Sequence, residues 1–167
     1  VMLTAGKKGL PLQAVVAKAS EGIAKQVPPA TIVSAMQTIA SRYELAFAMA
    51  AQFTGQMGQK NQLGLIVAES MAAGLTDEDA AGIVQTLQQR GEPVKSDSVY
   101  ALANEAFETA RTAARLGVSS KITAGLVNQA LASGLSPVAL QGMQQALTTQ
   151  SRSTPPETLA KSYSAAM

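Results

Sequence analysis

Carboxylates are the side chains here that could do acid–base chemistry, because the chain contains neither histidine nor cysteine. Histidine is the group that most often titrates near neutral pH and ligates zinc. Its absence excludes His-dependent triads and ordinary zinc sites within the chain. The absence of cysteine removes thiol nucleophiles and disulfides. Glu21, Glu69, Glu105 and Glu108 remain as candidate carboxylates. A hydrolase of envelope polymers would use one of them as a perturbed acid facing a cleft, and Glu21 and Glu69 are the positions such an enzyme would choose. These two occupy equivalent places in two repeats of the chain, which favours a structural role. Glu108 with Arg111 is explained by helix pairing. No Gly-rich phosphate loop, GxSxG or SxxK occurs, so no catalytic residue, cofactor or metal ligand is assigned.

Two further motifs carry chemistry. In "LTDEDAAG", Asp77, Asp79 and Gly82 match positions 1, 3 and 6 of an EF-hand loop. Ala81 and Gln88, at positions 5 and 12, supply no ligand, so calcium binding fails. Three acids in a helix's first turn are explained by the macrodipole. In "AARLGVSSKITAGLV", Ala113, Gly117, Val118, Ile122 and Leu126 have the spacing of a helix-turn-helix. A DNA-binding regulator would use residues 106–129 in this way. The second helix offers one base, Lys121, with Asn128 and Gln129. Between Asp97 and Thr148 three basic residues balance three acidic ones. Phosphate binding needs several bases on one face, so no nucleic-acid partner is expected.

The elements positioning these residues are helical throughout. No run alternates as a strand would, so the class is all-α. A first helix, opening with Pro11, carries Leu12, Val15, Val16, Ala19, Ile23 and Val27 on one stripe. A second starts at Pro29 and places Ile32, Met36, Ile39, Tyr43, Ala46, Ala50, Phe53 and Met57 in heptad spacing. This helix is expected to run from about 29 to 57, ending at Gly55 and Gly58. Val33, Leu45, Phe47 and Met49 lie off its seam. It therefore sits centrally, or a second copy of the chain covers one face. Tyr43, Phe47, Met49, Phe53 and Met57 form the candidate interaction face. Further helices are expected near 61–73, 77–90, 97–115, 120–133, 137–148 and from Pro155, with a loop "RGEPVKSD" between the fourth and fifth.

The corners recur. "SMAAGLTDEDAAGIVQTL" aligns with "ALASGLSPVALQGMQQAL", setting Met71 on Leu131, Gly74 on Gly134, Leu75 on Leu135, Thr76 on Ser136 and Leu87 on Leu147. Gly74, Gly117 and Gly134 suit the left-handed residue that closes a helix. Thr76 and Ser136 suit N-caps, and Pro137 suits the first helical position. Pro28-Pro29 is the same corner in another form: Pro28 ends one helix and Pro29 begins the next. Corner units near 27–29, 74–77, 117–120 and 134–137 thus join about eight helices. The architecture expected is one domain over 1–167, built of successive helical hairpins as an irregular bundle or short α-superhelix.

Only 14% of the 167 residues are charged and the net charge is +2, well below the charged share of about 25% in typical soluble domains. Such a balance drives neither nucleic-acid nor membrane-surface binding. The most apolar window, "LAFAMAAQF", is too short and too interrupted to span a bilayer. The opening "VMLTAGKKGL" lacks the apolar region of a signal peptide.

The segment Gly9–Arg42 resembles a pattern found in uncharacterised, predicted exported bacterial proteins. It is carried by Gly9, Leu10, Pro11, Lys18, Glu21, Gly22, Ala24, Lys25, Val27, Pro28, Pro29 and Ile32. Gln26 stands where glycine would be the natural helix end. The resemblance implies an exported, periplasmic or secreted helical protein and brings no catalytic residues. The function expected is a non-catalytic helical module that binds a protein, an envelope component or itself, as a homodimer.

Overall fold

The computed structural model describes residues 1–7, 9–91 and 95–167. Nine α-helices and no strands occur among them: α1 (Met2–Lys7), α2 (Leu12–Ala24), α3 (Pro29–Ala50), α4 (Met57–Ala72), α5 (Asp77–Gln89), α6 (Asp97–Arg115), α7 (Ser120–Ala132), α8 (Pro137–Gln150) and α9 (Pro156–Ala166). Helices α2 to α9 are the eight expected; the six-residue α1 is additional. Of the loop expected between α5 and α6, residues 92–94 lie outside the described residues.

Four corners share one construction. In each, a residue with positive φ closes the helix and the following N–H reaches back to a carbonyl of the last turn. The closing residues are Gln26 (φ 53°), Gly74 (126°), Gly117 (86°) and Gly134 (78°). The matching bonds run from Val27 to Gly22 (2.9 Å), Leu75 to Ser70 (3.0 Å), Val118 to Ala113 (3.1 Å) and Leu135 to Ala130 (3.1 Å). This is the Schellman pattern, so the likeness between corners is geometric as well as sequential. Two of the four following helices, α5 and α8, then receive a side-chain cap. Thr76 and Ser136 accept from the N–H groups of Asp79 and Ala139, whereas Pro29 starts α3 without a side-chain cap. The α7–α8 corner is also held from outside. Arg90 donates to the carbonyls of Leu131 (2.9 Å) and Leu135 (3.1 Å).

The long helix is shorter than its heptad spacing suggests. It ends at Ala50, and a tight turn follows, in which the N–H groups of Gln52 and Phe53 bond to Met49 and Ala50. Thr54 fixes the exit by accepting the Gln56 N–H at 3.1 Å. The turn still delivers Phe53 into the core, so the apolar period outlasts the helix. Met57 begins α4 instead, and stands 67% exposed.

Two rows of helices build the rest. Helix α4 packs on α6 and α6 on α8; α5 packs on α7 and α7 on α9. Leu63, Ile83, Leu87, Leu102, Phe107 and Leu131 fill the space between the rows, essentially without exposure. Alanines such as Ala103, Ala106 and Ala110, equally buried, let the helices approach closely. Helix α3 breaks the rule. Its C-terminal half lies on α4, where Gly64 leaves room for the Phe47 ring. It does not pack on α5, and its N-terminal half carries α2 on a small cluster of Val15, Ala19 and Met36.

Candidate functional site

The candidate carboxylates are placed apart and each is differently engaged. Glu21 lies exposed on α2 between Lys25 (2.6 Å) and Lys18 (2.9 Å). Hydrogen bonds from Lys25 and then Lys18 hold its carboxyl down at about 2. A general acid needs the opposite shift, so nothing at Glu21 supports the hydrolase reading. Glu69 on α4 accepts from Arg111 (2.7 Å) and Arg115 (2.8 Å), both on α6. Arg111 also pairs with Glu108. Burial pushes the Glu108 carboxyl up, against the pull of Arg111 and with help from Glu105 and Glu69. Glu105 receives amide hydrogens of Gln141 and Gln144, each at 3.1 Å. The structure thus joins Glu69 and Glu108 through Arg111 and sets Glu105 beside them, while Glu21 is remote on α2. Each carboxylate is tied by a partner from its own or a neighbouring helix, which is how inter-helix ion pairs fix register.

The acidic first turn of α5 is likewise structural. Thr76 and Asp79 form a reciprocal cap, and the hydroxyl of Ser120 on α7 bonds to Asp79 and accepts the Thr76 N–H at 2.8 Å. Among the described residues no three His, Cys, Asp or Glu side chains gather to hold a metal. The helix-turn-helix reading fails on packing. The proposed recognition helix, α7, is sandwiched between α5 and α9 and also touches α6. Only a narrow strip with Lys121, Gly125 and Gln129 faces outward, too little to enter a major groove and bind phosphates.

The candidate interaction face is divided. Phe47, Met49 and Phe53 are buried, and Tyr43 packs edge-on against Phe47 with ring centres 6.3 Å apart. Phe47, Met49 and Phe53 belong to the interior of the single chain, Tyr43 is half-buried against them, and Met57 is exposed at the surface. The off-seam apolar residues of α3 are thus explained by a central position for its C-terminal half.

Two surfaces that the sequence did not single out remain. The first is α2, whose apolar arc is wider than α3 can cover. Leu12, Val16 and Ile23 are 39%, 43% and 69% exposed. The second is a cleft of about 490 Å³ between residues 34–42 of α3 and the α4–α5 corner. One wall holds Ser34, Gln37, Ser41 and Arg42; the other holds Met71, Leu75 and Asp77. A signal for it was present. Ser34, Gln37, Thr38 and Ser41 follow helical spacing, and Arg42 adjoins this polar row.

No helix among the described residues is long and apolar enough to cross a membrane. No family model, curated protein or solved structure matches the chain.

Proposed function

We propose that this chain is a non-catalytic helical interaction module that docks through its α2–α3 hairpin, with a second copy of itself as the partner. The observation carrying the reading is the exposed arc of α2. Leu12, Val16 and Ile23 are exposed, and Ala19, buried against α3 at the edge of that arc, completes a spacing of 4, 3 and 4 residues, the period of a helix seam. That spacing reads the same in both directions, so two α2 helices can pair antiparallel about a twofold axis, Leu12 opposite Ile23. An isologous contact needs such self-complementarity. Charge supports the same occupant. Lys18, Glu21 and Lys25 lie on the opposite side of α2, and the flanking Gln13, Ala17, Ser20 and Ala24 are uncharged. An acidic partner or an anionic lipid surface would gain nothing at this face. The exported, periplasmic or secreted location rests on the resemblance of Gly9–Arg42 alone.

Light scattering coupled to size-exclusion chromatography tests the pairing. The expected result is a dimer for the chain and a monomer of unchanged helicity for Val16→Glu with Ile23→Glu. A monomer at high concentration for the parent chain refutes self-association.

A further inference from the structure

We infer that the cleft between α3 and the α4–α5 corner is a binding site for a short peptide segment bearing a carboxylate, with Arg42 as its anchor. The argument starts from the five arginines. Arg90 is spent on backbone carbonyls, and Arg111 and Arg115 on carboxylates. Arg152 is exposed. Arg42 alone is half-buried with neither an ion pair nor a side-chain hydrogen bond among the described residues, and it lines the cleft. A guanidinium held at a concave surface without a counter-ion presents a planar fork that matches a carboxylate in bidentate geometry.

The remaining wall chooses among anions. No second Lys or Arg lines the cleft, and Asp77 stands on the opposite wall. A phosphate, carrying close to two charges, would meet one cation and one like charge. A single carboxylate fits a single fork, and Asp77 then accepts N–H groups of the ligand. The hydroxyls of Ser34 and Ser41 and the Gln37 amide both donate and accept, which suits the alternating groups of a peptide backbone. Met71 and Leu75 contribute the apolar part of the wall. The volume lies within the usual range for small-ligand sites, about 300–1,000 Å³. Thr38 is already committed, its hydroxyl bonding to the Ser34 carbonyl at 3.1 Å.

The site is independent of pairing through α2, because it lies on α3 and the α4–α5 corner. Its test is a titration of the ¹⁵N-labelled chain, followed by amide chemical shifts, with acetyl-Gly-Glu-Gly-amide, its Gln counterpart and inorganic phosphate. The Glu peptide is expected to give saturable shifts at residues 34–42 and 75–77. The Gln peptide should bind about 10-fold more weakly, the scale of one charge-assisted hydrogen bond. Arg42→Gln, whose fold is checked by thermal unfolding, should bind both peptides equally weakly. Arg42→Lys should keep part of the preference for Glu. Ser41→Asp, which sets a negative charge beside Arg42, should abolish binding of the Glu peptide with the fold retained. Equal binding of the two peptides by the parent chain, stronger binding of phosphate, no saturable shifts in these segments, or unchanged binding by Arg42→Gln would each overturn the inference.

Discussion

Gln26→Gly is expected to stabilise the protein, although it removes a side chain. Gln26 closes α2 with φ at 53°, where the other three corners of this type use glycine. A residue with a Cβ is strained there by roughly 1–2 kcal/mol, because the Cβ crowds the following carbonyl oxygen. The side chain is exposed and the corner's bonds are made by the backbone: Gln26 N–H to Ile23 at 3.0 Å and Val27 N–H to Gly22 at 2.9 Å. Neither bond is lost on substitution. Glycine is freer in the unfolded chain, which offsets about 0.5–1 kcal/mol of the relief. The net gain expected is thus about 0.5–1 kcal/mol, or about 1–4 °C in Tm for a chain of this length.

Urea unfolding followed by circular dichroism measures the difference, with calorimetry as a second reading. Gly134→Gln supplies the mirror experiment. It places a Cβ at φ 78° in a corner that now has none, so it should lose about 1 kcal/mol or more. A Gln26→Gly protein no more stable than its parent, together with a harmless Gly134→Gln, would refute the view that these corners are set by backbone conformation.

Three other perturbations have directions fixed by the structure. In Gly64→Ala the new Cβ would lie 2.5 Å from Phe47 Cδ2 and within 3 Å of two further ring atoms, so stability should fall by about 1–3 kcal/mol despite alanine's better helix propensity. Gly125→Ala on α7, where a Cβ meets nothing within 4 Å, should instead gain up to about 1 kcal/mol; equal effects in urea unfolding would contradict the packing. The third perturbation is pH at Glu21, whose folded value of about 2 lies below its ordinary 4.5. Its contribution to α2 is therefore fully present above about pH 4.5 and is lost as the pH falls toward 2. Glu21→Gln should accelerate amide exchange in α2 at pH 6 and change little at pH 2, and a carboxyl titration midpoint near 4.5 by NMR would exclude the Lys18–Glu21–Lys25 arrangement.

What could be read in advance was what is local. Each corner is a few residues long, and glycine, a cap or a proline states its geometry directly, so the recurrence at Gly74, Gly117 and Gly134 survived intact. The end of α3 was hidden because a tight turn returns Phe53 to the core and keeps the heptad spacing running past the helix. The likeness of Glu21 and Glu69 also misled. Both sit before corners of the same type, yet one is bound by lysines of its own helix. The other is bound by arginines 42 and 46 residues away. Partners at that separation leave no mark in a local pattern. Arg42 was missed for the converse reason: a polar row on a helix ordinarily faces water, and only the position of the α4–α5 corner turns it into the wall of a cleft.

Both proposed surfaces follow from the one place where the stacking rule fails. If α3 continued its row, it would lie on α5 as α5 lies on α7, and the space beside Arg42 would be filled with side chains. Instead the close approach of Phe47 over Gly64 commits the C-terminal half of α3 to α4. The helix is 22 residues long, against 13 for α5 and α7, roughly 33 Å at 1.5 Å per residue. Its N-terminal half therefore extends past the helices that could cover it. Two consequences are unavoidable. The gap toward α5 stays open, with the polar row on its wall. Helix α2, carried on the extension, has only α3 and the six-residue α1 as neighbours where an interior helix such as α7 has three longer ones, and its apolar arc stays exposed. In a chain with 14% charged residues, such exposure invites association unless a defined partner covers it. The proposed pairing of two copies would cover it through the exposed Leu12, Val16 and Ile23.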